Sequence, residues 1–564
     1  MKAKSVLATV VAFAALTGPA FGERGSDGEL RILSWQAPSN LNPYLAGGSA
    51  DTRAASLVLE PLAKFDENGK IVPWLAESIP TLENGGISED LKSITWKLKP
   101  DLLWSDGTPL TSADVKFTAD YCMHPNVGCA TSGRFTGVES VEVIDDLTTK
   151  INFKERTPFA YVAMVGFPSP VIQAAQFANC LGEKALECVD ENFKPIGTGP
   201  FVVTEFRPKD VILLEANPNY REAGKPAFSH VTFKGGGDAT AAARAVLQTG
   251  EFDYAMNLQV APEVIAEIKK GGQGETMTAF GPRVEIVYIN GSNPDPALGP
   301  DERSIVKPNP KLDDLAVRKA LNMAIDRNLL VDIGYGDAGA VTCNLVPAPP
   351  LYDSKKHDCS TQDIAGANAL LDDAGWVKGA DGIRSKDGVR LELDFQTSTN
   401  SVRQSFQSLL KEWWKQIGVE TNLRNMNASV FFSSDPSSPD TYLKFYAGLE
   451  MFANSFSGTD PQAYLSQFLC GKEPRPENQW KGPNYSRYCS PEYDALHAQL
   501  ASEANLEKRG ELARALNDML IDEQIILPLA QRGDLIGRSN TLDGVVINVW
   551  DSDYWNIADW SRKK

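Results

Sequence analysis

Histidine is scarce in this chain: four occur in 564 residues, His124, His230, His357 and His497. None sits in H-E-x-x-H, no C-x-x-C occurs, and G-x-S-x-G is missing too. Zinc-dependent and nucleophile-elbow hydrolases are therefore not indicated. A serine nucleophile would have no recognisable histidine to take its proton. Positive charge is also short, with 55 Lys and Arg against 73 Asp and Glu. The net charge of −18 repels a phosphate backbone and argues against nucleic acid as a partner. After the N-terminal stretch no apolar run approaches the roughly 20 residues needed to cross a bilayer, so no membrane insertion is expected. The run Gly235-Gly236-Gly237 lacks the lysine of a phosphate-binding loop and the spacing of a dinucleotide fingerprint, which leaves a turn before a helix. No cofactor and no metal site is expected.

What is present begins with an export signal. Lys2 and Lys4 precede a mostly apolar run from Val6 to Leu16, and Ala20-Phe21-Gly22 offers a small-x-small cleavage site before Glu23. Residues 1–22 are read as a signal peptide. The first cysteine is Cys122, so none stands at the cleavage site to carry a lipid anchor. A monomer free in the periplasm is the expectation. Eight cysteines suit that compartment, falling in order as Cys122/Cys129, Cys180/Cys188, Cys343/Cys359 and Cys470/Cys489. They permit about 105 pairings, and short loops favour the sequential one because closure entropy grows with loop length.

A chain of this length exceeds what a single core supports, so at least two domains are expected. Alternation marks strands at Gly28–Trp35, Ile94–Lys99 and Leu391–Phe395. Thr111 and Asp114 read as a capping box opening a helix. Val317, Leu321, Ala324 and Ile325 share one helix face, Ile364–Ala374 is helical up to Gly375, and Ser490-Pro491-Glu492 starts another helix. Leu512, Leu516, Met519 and Leu520 form a further core-facing stripe. Strands and helices intermix throughout, which gives an α/β protein.

Seven segments carry a resemblance. They are PWLAES at 73–78, ITWKLKPDLLWSDGTPLTSADVKFT at 94–118, PIGTGPF at 195–201, EANPNY at 215–220, AVLQTGEFDY at 245–254, LAVRKALNMAIDR at 315–327 and ALLDDAGW at 369–376. In this order they resemble the periplasmic solute-binding proteins of ABC importers, the oligopeptide/dipeptide-binding family. The resemblance implies a two-lobe periplasmic binding protein fold (type II, cluster C) with an extra inserted subdomain and a hinge between lobes. Lobe I would comprise 23–63, 195–281 and 525–564, the inserted subdomain 64–194, and lobe II 282–524. The lobes would close over a peptide or small-molecule ligand and present it to an ABC permease of the inner membrane.

The stretch Ala447–Pro461, AGLEMFANSFSGTDP, concentrates candidate ligand contacts. Ser455 or Ser457 could be a nucleophile with Asp460 behind it, but the missing histidine motif favours a binding wall. In peptide-binding relatives an aspartate four residues before the proline pairs with the peptide's α-ammonium. The matching position here is Ser457, and Asn454 stands three residues before it. Glu450 or Asp460 could still supply a charge. The departure leaves room for an oligosaccharide or opine-like conjugate beside a peptide. The same alignment nominates Trp35, Gln36, Ala37 and Pro38 after the first strand, and Tyr288 and Asn290 on the hinge strand. It adds Asn400, Arg403, Phe432, Phe452 and Phe456.

Overall fold

The alternation from Gly28 becomes the strand Glu29–Ser34, with Leu30 and Ile32 fully buried and Glu29 exposed. The computed structural model describes residues 23–46, 48–301, 307–435, 437–438 and 440–564; the signal peptide expected at 1–22 lies outside them. Glu29–Ser34 pairs in parallel with Tyr254–Ala255 on one side and His230–Gly235 on the other. Parallel strands of one sheet need a crossover, and the helix Ala239–Leu247 supplies it between His230–Gly235 and Tyr254–Ala255, which flank Glu29–Ser34. Asp238 caps that helix by accepting from Ala241 N. Gly236 and Gly237 before it take φ of +94° and +85°, so the triglycine is a turn. The complete sheet has seven strands and adds Gly274–Ala279, Asp534–Ser539, Val211–Ala216 and Phe201–Arg207.

A second, six-stranded sheet runs Gly339–Val341, Ile526–Arg532, Val284–Ile289, Leu449–Asn454, Glu392–Ser398, Glu420–Met426. Its central strand Val284–Ile289 is buried at every position. The helix Ser401–Gln416 contributes Val402, Phe406, Leu410, Trp413 and Trp414 to that core, so both tryptophans of the pair are structural. These two sheets are the cores of two lobes. The chain crosses between them twice, at residues 280–283 and again at Gly533. Sequence placed the return at Ile525. Strand Ile526–Arg532 instead pairs with Val284–Ile289, because its apolar residues are absorbed by that antiparallel ladder, and the sheet changes only after it.

Residues 64–194 carry a three-stranded antiparallel sheet of Ser93–Lys97, Thr148–Phe153 and Val138–Asp145 with its own core. The helix Ser112–Met123 packs there, and Thr111 and Asp114 form the capping box. Gly197 and Gly199 of the PIGTGPF segment do not serve a special backbone angle. A Cβ on Gly197 would lie 2.0 Å from Val58 O, and one on Gly199 2.6 Å from the same atom. Close backbone approach is their role.

The stripe from Val317 to Ile325 is split. Helix Leu315–Met323 ends, and Asp326 accepts from Leu329 N to start a second helix, Arg327–Gly334. Local side-chain bonding by Asp326 competes with continuation, which hydrophobic spacing cannot reveal. All four disulfides join sequential cysteines: Cys122–Cys129, Cys180–Cys188, Cys343–Cys359 and Cys470–Cys489. No described helix is long and apolar enough to cross a membrane.

Candidate functional site

The strand Leu449–Asn454 ends at the gap between lobes, and residues 453–460 run along it. They line one wall of a cavity of about 270 Å³. Phe452 is the centre of an aromatic floor. It stacks on Tyr288 at 4.4 Å and meets Tyr442 and Tyr485 edge-on at 5.2 and 5.8 Å. Phe456 and Tyr464 add a second pair of rings, 5.3 Å apart. The facing wall is built from the first lobe and the inserted segment. Helix Ser49–Ala55 gives Thr52 and Arg53, the inserted segment gives Arg134, Phe159 and Phe167, and the C-terminal segment gives Asp551.

Contacts across the gap close the cavity. Ser457 Oγ donates to Trp550 O at 3.1 Å, and Gly458 N donates to the same carbonyl at 2.7 Å. Lys481 Nζ, from the second lobe, donates to Leu45 O at 2.5 Å in the first. Asp51 accepts from Ser39 N at 2.5 Å and Asn40 N at 3.2 Å, and across the gap from Ser434 Oγ at 3.4 Å. Burial pushes the Asp51 carboxyl up to about 6 and pulls the Lys481 ammonium down to about 8.

Asp51 gives the closed form a pH dependence. When the gap opens and water reaches it, its carboxyl returns toward the ordinary value of 3.8, so the closed form holds the proton more tightly. A raised value in the closed form favours closure below about pH 6, fully so near the open-form value, and the gain is lost as pH rises through 6. We expect closure to strengthen by up to about tenfold per unit between pH 6 and 4. Small-angle scattering across that range checks this, with Asp51→Asn expected to remove the slope.

Neither acid near the expected ammonium position is free. Asp460 is ion-paired with Arg509 at 2.7 Å, accepts from Tyr352 Oη at 3.1 Å and from Gln462 N at 2.9 Å. Glu450 lies fully buried, accepts from Gln396, and burial raises its carboxyl well above the usual range. Asp551 accepts from Phe65 N and Ser552 N, and burial raises its carboxyl too. The cations facing the cavity are less committed. Arg53 is ion-paired with Asp553 at 2.5 Å, yet its Nη1 has no hydrogen-bond partner. Arg134 spends one N–H on Val165 O at 3.0 Å.

Six of the nominated residues line the cavity: Phe432, Phe452, Asn454, Ser455, Phe456 and Ser457. Asn454 Nδ2 donates to Tyr288 Oη at 3.1 Å, so Tyr288 acts behind it. The others lie elsewhere. Trp35 Nε1 donates to Asn257 O, Gln36 Oε1 accepts from Asn257 Nδ2, Ala37 packs beside Gly235, and Pro38 O accepts from Lys209 N. Asn290 Nδ2 donates to Phe445 O and Ala447 O. Asn400 caps helix Ser401–Gln416 and donates to Gln259 O. Arg403 is buried against Glu285 at 2.6 Å. Sequence reasoning did not find Arg53, Arg134, Lys481 and Asp551, which come from loops and helix ends remote from one another in sequence. No histidine lines this cavity among the described residues, so Ser455 and Ser457 have no imidazole beside them.

Known proteins place this arrangement. Residues 70–474 match the sequence profile of the bacterial extracellular solute-binding proteins, family 5. The oligopeptide-binding protein AppA of Bacillus subtilis is 28% identical over 551 residues, 96% of this chain and 92% of that one. The glutathione-binding protein GsiB of Pectobacterium atrosepticum is 27% identical over 392 residues, 69% of this chain and 68% of that one. The structure of B. subtilis AppA with a nonapeptide superposes with a TM-score of 0.80 at 24% identity, covering 96% of this chain and 100% of the other. The two-lobe α/β architecture is that of the superposed protein, and this chain belongs to the bacterial extracellular solute-binding proteins, family 5.

Proposed function

We propose that this protein is the substrate-capturing component of an ABC importer, working in the periplasm. It closes its two lobes over a peptide or peptide-sized solute and delivers it to an inner-membrane permease. The observation that carries this reading is the cavity itself, whose walls come from both lobes and are sealed by Ser457–Trp550 and Lys481–Leu45 contacts. A site of this kind exists only in the closed form, so ligand and closure stabilise each other. The aromatic floor around Phe452 suits flat or apolar groups, and backbone and side-chain polar groups fix orientation.

The committed states of Asp460 and Glu450 bear on which peptides bind. A free α-ammonium beside Ser457 would find Asp460 already paired with Arg509, Glu450 fully buried against Gln396 and Asp551 already accepting from Phe65 N and Ser552 N, so no uncommitted carboxylate stands ready to compensate its desolvation. Titration calorimetry with a tripeptide and its N-acetylated form tests this. Acetylation is expected to leave affinity within about threefold. A loss of tenfold or more on acetylation would show an acid pairing with the amine.

A further inference from the structure

A second chamber of about 820 Å³ adjoins the cavity, between the inserted segment and helix Pro491–Ser502. Gly133, Arg134, Phe159, Val162, Ala463 and Ser466 line both, so the two spaces are contiguous. Alone, the first cavity falls just below the roughly 300–1,000 Å³ of small-molecule sites, while the second lies within that range. A solute held against the aromatic floor that outgrows the first cavity therefore has contiguous space in the second.

The second chamber is basic. Lys92, Arg134, Lys154, Arg156 and Lys472 line it, in a chain whose net charge is −18. Its two acids are committed or remote: Glu155 lies 3.8 Å from Lys92 at the exposed rim, and Asp494 accepts from Cys470 N. Lys472 is half-buried, and its ammonium has neither a hydrogen bond nor an ion pair among the described residues. Arg134, also half-buried, marks the passage between the spaces; among the described residues it has no carboxylate within ion-pair distance, Asp551 acting on it from farther along the first cavity. A half-buried cation without a partner is unfavourable, and this sequence has no shortage of acids that could have been placed there.

Building on the proposed function, we propose that the captured solute bears an acidic arm, carboxylate or phosphate, which passes Arg134 into this chamber and is held there by Arg134 and Lys472. Both cations present N–H groups to an oxyanion without breaking an existing pair. The absence of a free acid beside Ser457 complements this, because the recognised charge is then at the end of the solute remote from that wall.

The test uses the purified full-length mature protein and three probes: N-acetyl-Ala-Ala-Glu with a free C-terminus, N-acetyl-Ala-Ala-Gln-amide, and N-acetyl-Ala-Ala-phosphoserine-amide. At least one anionic probe is expected to bind about tenfold or more tightly than the neutral one, the scale of a charge-assisted hydrogen bond. The comparison of carboxylate with phosphate identifies which oxyanion is preferred. Lys472→Gln is expected to cut affinity for that probe by about three- to tenfold and leave the neutral probe unchanged, with Arg134→Gln giving at least as large a loss. Lys472 is partly exposed, so its variant folds even where the arginine variant does not. Equal binding of neutral and anionic probes, or an equal effect of Lys472→Gln on both, overturns this inference and leaves the proposed function standing. If no probe binds, mass spectrometry of the co-purified solute decides: an anion supports the inference and a neutral or cationic solute overturns it. A protein that binds no probe and carries no solute overturns both readings.

Discussion

Replacing Glu285 by glutamine is expected to cost about 3–5 kcal/mol of stability, the largest single-residue effect predicted for this molecule. Glu285 is fully buried on the central strand Val284–Ile289. It accepts from Arg403 Nε at 2.6 Å, Arg403 Nη2 at 3.3 Å, Tyr335 Oη at 3.1 Å and Gln259 Nε2 at 3.2 Å, with Arg532 Nη1 3.6 Å away. Every neighbour is a donor. An amide in its place turns an N–H₂ toward donors and leaves two buried guanidiniums with no counter-charge. Burial alone would raise the Glu285 carboxyl, but Arg403 and Arg532 hold it below the usual range. A depressed folded value contributes stability above the unfolded value, near pH 4, and loses it as pH falls through the folded one. The variant should therefore have a flatter acid limb as well as a lower urea midpoint. A loss under 1 kcal/mol by urea unfolding would show that the cluster's charges are solvated after all.

Asp534→Asn is the second large effect, and it acts where the chain crosses between lobes. Arg283 ends the outgoing crossing and Asp534 ends the return. Their side chains form a buried two-bond pair, with Arg283 Nη2 to Asp534 Oδ2 at 3.2 Å. Arg532 N donates to Arg283 O at 2.9 Å and Gln531 Nε2 to Gly281 O at 3.0 Å, so the two crossings are laced together. Arg53 and Asp553 lie in the same charge cluster. Burial would raise Asp534, yet Arg283 and Arg53 hold it down; burial and the Asp534 charge together raise Asp553. The neutral variant strands Arg283 in the interior, at about 3 kcal/mol or more. Because Arg283 also lines the cavity, ligand affinity should fall with stability. Arg283→Met combined with Asp534→Asn is expected to recover most of the loss, since removing both charges relieves the uncompensated one. A double variant no better than the single one would show that the pair's geometry, and not its charge balance, sets the hinge.

Local signals were legible wherever one segment fixed its own conformation. The Thr111–Asp114 capping box, the glycine turn before helix Ala239–Leu247, the Ser490 cap and the four short cysteine pairs all follow from neighbours in sequence. The wall from Phe452 to Ser457 was legible because one strand and its exit loop supply it. The facing wall was not. Arg53, Arg134 and Asp551 meet only after three separate chain segments fold together, and no spacing encodes that. Arg403 and Asn400 misled for the same reason: a charged or polar residue beside a candidate loop reads as a ligand contact until its buried partner, Glu285 or Gln259 O, is seen.

The four disulfides have a consequence for how the chain reaches its folded form. Their partners are 7, 8, 16 and 19 residues apart, two pairs in the inserted segment and two in the second lobe. The native partner of each cysteine is also its nearest cysteine in sequence, and the shortest loop closes at the smallest entropic cost. Oxidation of nearest neighbours therefore yields the native set directly, with no shuffling step required. No link spans the two crossings at residues 280–283 and Gly533, so oxidised and reduced molecules share the same freedom to open and shut.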